Sequence, residues 1–503
     1  MATKPRFKKL RKRLKAVSAT AAVLALAVSG CSTSGDSATT GMVGTSITGA
    51  VDLFDATAAH TVSLVWDEAD YNAMIASYES GSDKAWISAD MTIDGTLINN
   101  VGVRLKGNST LRSLGGDSSG AGAGAPGGAD GTMPTDLPTD MANMGGGKGR
   151  PGGTPPEGFD GTLPTDRPTD MAQMGGGAPA GGMGGMGDSS SISFDDPASL
   201  PLLIRFDKYV DGTEYEGLTQ LALRPGSPVI NEALALSITA ATDQPTQRYA
   251  YTTYSVNGSD TQTRLLLENP DESYGESIDD GNSVVFKADA ESSFTYQGDD
   301  LATYKDQFKQ LNKEDTQDAT PIVAFLKWLD AADDATFDAE LANYVDVDSF
   351  AKYAATQNLL ANSDDMAGPG QNYYLSYDLT SKKISVISWD LNLALSGNAT
   401  ASPDTSLSMG GGGKGAAGTG KGGNSLKTRF LASTSFKKLY DAAYQELYTK
   451  VFSDGTATSL LSTITDSVPV SDDLTQDEIA AKAKTLNTFL TQRGEALEKA
   501  LAN

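Results

Sequence analysis

The chain has 503 residues, of which 39% are hydrophobic, enough to bury a large core and too long for a small stapled scaffold. Its formal charge of -25 repels the phosphates of a nucleic acid polymer. A single histidine, His60, and a single cysteine, Cys31, leave the bulk of the chain without the parts for Ser-His-Asp or Cys-His catalysis, and the whole chain without those for zinc fingers or a disulfide. Any chemistry must therefore run on carboxylates, lysines, arginines and amides.

Residues 4–15 hold eight basic side chains and no acid, and an apolar run over residues 16–28 follows. That order reads as a secretory leader, too short to span a bilayer. The run closes on Val28-Ser29-Gly30-Cys31, which resembles the bacterial lipobox. Residues 1–30 are therefore expected to be a lipoprotein signal peptide, Cys31 the lipidated residue and 31–55 a tether. This predicts an extracytoplasmic protein, lipid-anchored to the bacterial cell membrane. Losing the leader's eight positive charges takes the net charge from -25 to -33.

The rest, 56–503, reads as one α+β domain with two interruptions. Val101, Val103 and Leu105 alternate with Gly102, Arg104 and Lys106, which predicts a strand with one apolar and one basic face. Residues 115–190 are rich in Gly, Pro and Met and hold one aromatic, Phe159, so they cannot bury enough apolar area to offset chain entropy and are expected to be a disordered insertion. Within it Asp130-Gly131-Thr132-Met133-Pro134-Thr135-Asp136 recurs at Asp160–Asp166, a duplicated linker and not a solenoid. Further strands are read at Leu202, Ile204 and Phe206, which alternate with Arg205, and at Leu221 and Leu223 before Arg224; Arg205 and Arg224 are expected to join Arg104 and Lys106 in a cationic wall. Helices are predicted over 321–329, 349–361, 436–451 and 476–501. A second Gly-rich loop, 397–425, contains Gly415-Ala416-Ala417-Gly418-Thr419-Gly420-Lys421-Gly422, which mimics a phosphate loop but has Gly422 where Ser or Thr should hold Mg²⁺.

The chemistry concentrates between 346 and 392. A helix gives way to Asn362-Ser363-Asp364-Asp365 and a loop closed by Gly368-Pro369-Gly370; then come Asn372, a hairpin turning near Thr380–Lys383, and Trp389-Asp390. Helix, loop acid, amide, hairpin, acid is the order a phosphotransferase needs. One carboxylate, Asp364, orients or deprotonates a hydroxyl, while Asn372 and Asp390 hold a metal across nucleotide phosphates. The eight residues from Asp364 to Asn372 exceed the five of a protein-kinase catalytic loop, so the likeness is one of layout. Asp346-Val347-Asp348 lacks the glycine and glutamate of an EF-hand and reads as a helix cap, and His60 as structural.

The segments Gly102-Val103-Arg104-Leu105-Lys106-Gly107-Asn108-Ser109, Leu267-Glu268, Asn362-Ser363-Asp364, Asn372-Tyr373-Tyr374-Leu375 and Trp389-Asp390-Leu391-Asn392 occur in the order of the spore-coat-protein-H-like (CotH) kinase family. The resemblance runs over about residues 59–501. It implies a two-lobed, divergent protein-kinase-like domain, strand-rich first and helix-rich later, that uses ATP with Mg²⁺ or Mn²⁺ to phosphorylate a hydroxyl of a secreted or surface protein. By motif, Asp364 resembles the catalytic acid and Asp390 the metal-binding acid, and Lys106 falls in the Lys-Gly-Asn-Ser segment. Asp365 and Asn392 depart from the residues many members carry. Lys287, after Ser283-Val284-Val285-Phe286, is read as a further phosphate contact. Beside the resemblance stand plainer readings: Lys106, Arg104, Arg205 and Arg224 as cross-strand ion pairs, Glu268 as a lysine-orienting acid or an edge-strand surface acid, and the two aspartates as turn residues. The alternative for the whole chain is a non-catalytic surface-binding or wall-associated module of the same fold.

Deleting residues 115–190 is expected to leave the melting temperature nearly unchanged in a calorimetric scan; a large loss would mean that the insertion is packed.

Overall fold

Period-two alternation in the first half of the chain closes a sheet on itself. The computed structural model describes residues 44–55, 58–82, 84–107, 110–114, 192–407 and 424–502. The leader, Cys31, Asn108, Ser109, the 115–190 insertion and the centre of the 397–425 loop lie outside the described residues.

In chain order the elements are β1 (Ser46–Ile47), β2 (His60–Trp66), α1 (Glu68–Glu79), β3 (Ile87–Ile93), β4 (Thr96–Leu105), β5 (Leu202–Arg205), β6 (Glu214–Tyr215), β7 (Gln220–Leu223), α2 (Ile230–Ala241), β8 (Tyr249–Val256) and β9 (Gln262–Glu268). Then follow α3 (Glu272–Ser277), β10 (Ser283–Ala288), β11 (Phe308–Gln310), α4 (Thr320–Ala331), α5 (Asp334–Tyr344), α6 (Val347–Leu359), β12 (Tyr373–Asp378) and β13 (Ile384–Ser388). The chain ends with α7 (Ser425–Ala432), α8 (Thr434–Tyr448), α9 (Thr456–Ser467) and α10 (Gln476–Leu501).

Strands β2-β3-β4-β5-β7-β9-β8 form a closed barrel, completed by parallel pairing of β2 with β8. Val101, Val103, Leu105, Leu202, Ile204, Leu221, Leu223 and Leu266 point inward into one core. The alternate residues Ala222, Leu265 and Leu267 point outward and join a second core with α2 and the later helices. Each fully buried leucine contributes about 2 kcal/mol, so both faces of these central strands are anchored. The second sheet has the order β11-β10-β12-β13.

The later helices lie close to where periodicity predicts them, and α10 begins at Gln476 because Thr475 and Glu478 form a reciprocal capping box. Asp346 caps α6 by accepting from the Ser349 amide at 3.0 Å, and His60 is buried with Nδ1 2.7 Å from Asp94. Two helices, α1 and α2, interrupt the stretch read as strands. Helix α2 is covered on most sides, so apolar residues are spread around it and blur the helical period.

Arg493 of α10 is fully buried. It donates to the carbonyls of Asn358 at 2.7 Å and Leu359 at 3.3 Å, where α6 ends, and to Ala399 at 3.4 Å. It thus satisfies the open carbonyls just before the Asp364 loop. Arg493→Met should cost about 3 kcal/mol or more, because those buried acceptors lose their donor; urea unfolding showing a cost below ~1 kcal/mol would refute this role.

Candidate functional site

Strand alternation assembles the site from two facing surfaces. In the second sheet Lys287 pairs with Tyr374 and Tyr374 with Ile387, and the period of two adds Asn372 and Trp389 to the same side. On the barrel, Arg104 pairs with Leu203 and Leu203 with Ala222, so Arg104, Lys106 and Arg224 follow the outer face. The two surfaces meet at Trp389, whose ring centre lies 5.5 Å from Lys106 Nζ and 4.8 Å from Lys287 Nζ. Tyr374 packs edge-on against the same ring at 5.2 Å. The indole face offsets part of the repulsion between the two ammonium groups.

Arg224, just past β7, binds two acids at once: its Nε donates to Glu232 Oε1 at 3.0 Å, and its Nη2 contacts both that oxygen and Asp390 Oδ1. Glu232 on α2 is fully buried, and its Oε2 has no hydrogen-bond partner among the described residues. Burial pushes Glu232 above the usual carboxylate range, against the pull of Arg224. Asp390 is also pushed up by burial, but Arg224, Lys106 and Lys287 outweigh this and hold it below the usual range. It adopts a left-handed backbone (φ 52°, ψ 63°) ahead of the turn Leu391–Leu393 and makes no side-chain cap there. Its carboxylate is thus committed to Arg224 and not to the turn. Asn231 ties the start of α2 to the same loop, donating to the carbonyls of Asn392 at 2.7 Å and Ala394 at 3.1 Å.

Asp364 lies in the loop after α6. The Gly370 amide donates to its Oδ1 at 2.8 Å, and Asn372 Nδ2 donates to its Oδ2 at 3.0 Å and its carbonyl at 2.9 Å. The loop is wrapped so tightly that a Cβ on Gly368 or Gly370 would sit 2.4 Å from Oδ1 or 2.6 Å from Oδ2, which explains the glycines of the Gly-Pro-Gly turn. Burial raises the Asp364 carboxyl; the Gly370 hydrogen bond opposes this, and the charge of nearby Asp390 adds to it. Asp365 turns away and pairs with Lys427 of α7.

Several expectations are corrected by the geometry. Glu268 does not orient a lysine of this group, nor does it lie on an edge strand: β9 is paired on both sides, and the carboxylate grips Arg248 at 2.8 and 3.2 Å. Arg205 is on the correct face but is held by Asp207 at 2.5 and 2.9 Å. Arg104 borders the group, its guanidinium 4.8 Å from the Trp86 ring centre. The acid that faces the cations is Glu232, which sequence reasoning passed over; the signal was a lone charge in the apolar run of α2.

Among the described residues no three His, Cys, Asp or Glu side chains gather as a metal cage. Asp390 and the amide oxygen of Asn372 offer two oxygen donors. That is the small protein share suited to Mg²⁺, which keeps water and takes its remaining ligands from phosphates.

Burial, then Lys287 and Arg224, lower the Lys106 pKa from 10.5 to about 7. The unfolded chain therefore holds this proton between about pH 7 and 10.5 while the folded chain does not. The folding penalty is complete below pH 7 and fades as the pH rises to 10.5. NMR of ¹³C-dimethylated lysines should show one signal titrating near 7, absent in Lys106→Met; titration near 10.5 for every lysine would contradict it.

No curated protein matches the chain. A solved structure of the Helicobacter pylori proinflammatory kinase CtkA aligns at 12% identity, covering 60% of this chain and 90% of that one, with a TM-score of 0.30. The Shewanella oneidensis HipA, HipB and operator DNA complex aligns at 12% identity over 56% of this chain and 60% of that one, with a TM-score of 0.29. The family model described as CotH kinase protein matches residues 192–497. That range takes in Arg224, Glu232, Lys287, Asp364, Asn372 and Asp390 and leaves Arg104 and Lys106 outside it, a narrower span than the motifs from residue 59 onward suggest. With more than half of its length matched, the chain belongs to the CotH kinase family.

Proposed function

We propose that this chain is an atypical kinase that transfers phosphate from ATP to a hydroxyl of a secreted or surface protein, tethered outside the cell by a lipid on Cys31. In this reading the barrel and the helical part with its four-stranded sheet act as the two lobes of a kinase-like domain. The observation that carries it is the convergence of Asp364, Asn372 and Asp390 beside Lys106 and Lys287, an anion-attracting pair in a chain of net charge -25.

The division of labour follows from the two carboxylates. Asp364 has a raised affinity for protons and two hydrogen bonds that fix its orientation, so it accepts the proton of the attacking hydroxyl. Asp390, kept ionised by three cations, and Asn372 would hold Mg²⁺ or Mn²⁺, which when bound neutralises phosphate charge. Lys106 and Lys287 bind and orient the phosphates, and triphosphate would restore the proton that burial takes from Lys106.

The mature chain should gain thermal stability from ATP only with Mg²⁺ or Mn²⁺, and should transfer phosphate. Asp390→Ala should abolish transfer and weaken the metal-dependent stabilisation. Asp364→Asn should reduce transfer at least ~100-fold while ATP still stabilises the protein. Stabilisation missing with both metals would instead favour the non-catalytic surface module, for which the contact of Arg224 on Asp390 is the supporting observation.

A further inference from the structure

A second group of cations on an aromatic ring lies next to the first. Trp86, just ahead of β3, has Arg104 4.8 Å and Lys208 5.4 Å from its ring centre. The platform is built into the barrel. A Cβ on Gly102 of β4 would come within 2.5 Å of the Lys208 Cβ and Cγ and 3.1 Å of Trp86 Cε3. Only a bare strand position lets the lysine stem and the indole lie flat on the outer face.

Lys84 extends the strip, donating to the Gly107 carbonyl at 2.5 Å, with its pKa lowered by burial and then by Arg104. The charge of Arg104 is also felt at Lys106 and at Lys287, so the strip is electrically continuous with the cations at Trp389. Asp207, next to Lys208 in the chain, is bound by Arg205. Lys208 is exposed and forms no salt bridge among the described residues. Three cations thus share one face in a chain of net charge -25.

We propose that the strip of Lys84, Trp86, Arg104 and Lys208 docks an acidic segment of the acceptor protein, next to the hydroxyl that receives phosphate. The inference rests on the phosphotransfer reading and adds the substrate class. Cations held over an indole are ordered before binding, so less rotamer freedom is lost when carboxylates arrive. The complementary charge sets recognition against the acidic background of the rest of the chain.

The test is fluorescence anisotropy with the full chain and two labelled peptides: a threonine flanked by aspartates, and the same peptide with asparagines. The acidic peptide should bind about tenfold tighter at low salt, with the gap closing between ~50 and ~500 mM NaCl. Lys208→Glu should weaken the acidic peptide about five- to tenfold and leave ATP-induced thermal stabilisation unchanged. Equal binding of both peptides, or an unaffected Lys208→Glu variant, overturns the proposal. So does acidic-peptide binding that emerges only after residues 115–190 are deleted, because the chain's own insertion would then be the occupant. Loss of ATP stabilisation in the unaltered chain counts against the phosphotransfer reading alone, since peptide binding needs no transfer.

Discussion

One guanidinium shared by two carboxylates holds the site together. Arg224 ends a barrel strand, Glu232 belongs to α2 and Asp390 follows the β12–β13 hairpin, so the triad fixes three separate elements to one point. A second buried arginine supports it: Arg264 Nε donates to the Arg224 carbonyl at 2.7 Å and its Nη2 to that of Leu200 at 2.8 Å. Burying such charges is expensive unless each is paired, and removing one member leaves the others exposed to that cost. Burial, and then the like charges of Lys287, Arg224 and Arg104, outweigh the pull of Asp390 and make Lys106 give up its proton readily.

The same surroundings drive two aspartates in opposite directions. Among the described residues Asp364 has hydrogen-bond donors but no cation in a salt bridge, so burial dominates and its proton affinity rises. Asp390 has three cations near it, and they overcome burial. Two carboxyl groups of one intrinsic acidity thereby become suited to different tasks, one to take up a proton and one to stay charged.

Much of this was legible in the sequence because the signals are local. The alternation around Val101–Leu105 marks a strand, Asp346 marks a helix start, and the order Asp364, Asn372, Asp390 follows a helix, a loop and a hairpin that short-range rules can place. What was not legible depends on closure. Nothing near Glu268 says that its strand is flanked on both sides, whereas Asp207, two residues on from Arg205 and on its side of the chain, is a local signal that sequence reasoning passed over. Glu232 was hidden for a related reason: its meaning comes from Arg224 and Asp390, which reach it only when the barrel and the second sheet are brought together. Periodicity finds elements, while the partner of a buried charge is a property of the assembled fold.

The parallel seam between β2 and β8 has a consequence for life in a crowded place. By closing the barrel it leaves its seven strands with no unsatisfied row of amides and carbonyls along a border. Neighbouring copies cannot zip together through their barrel backbones, so any association of this half must be written in side chains. Selection can therefore retune what this half of the molecule touches one residue at a time, without putting its architecture at risk.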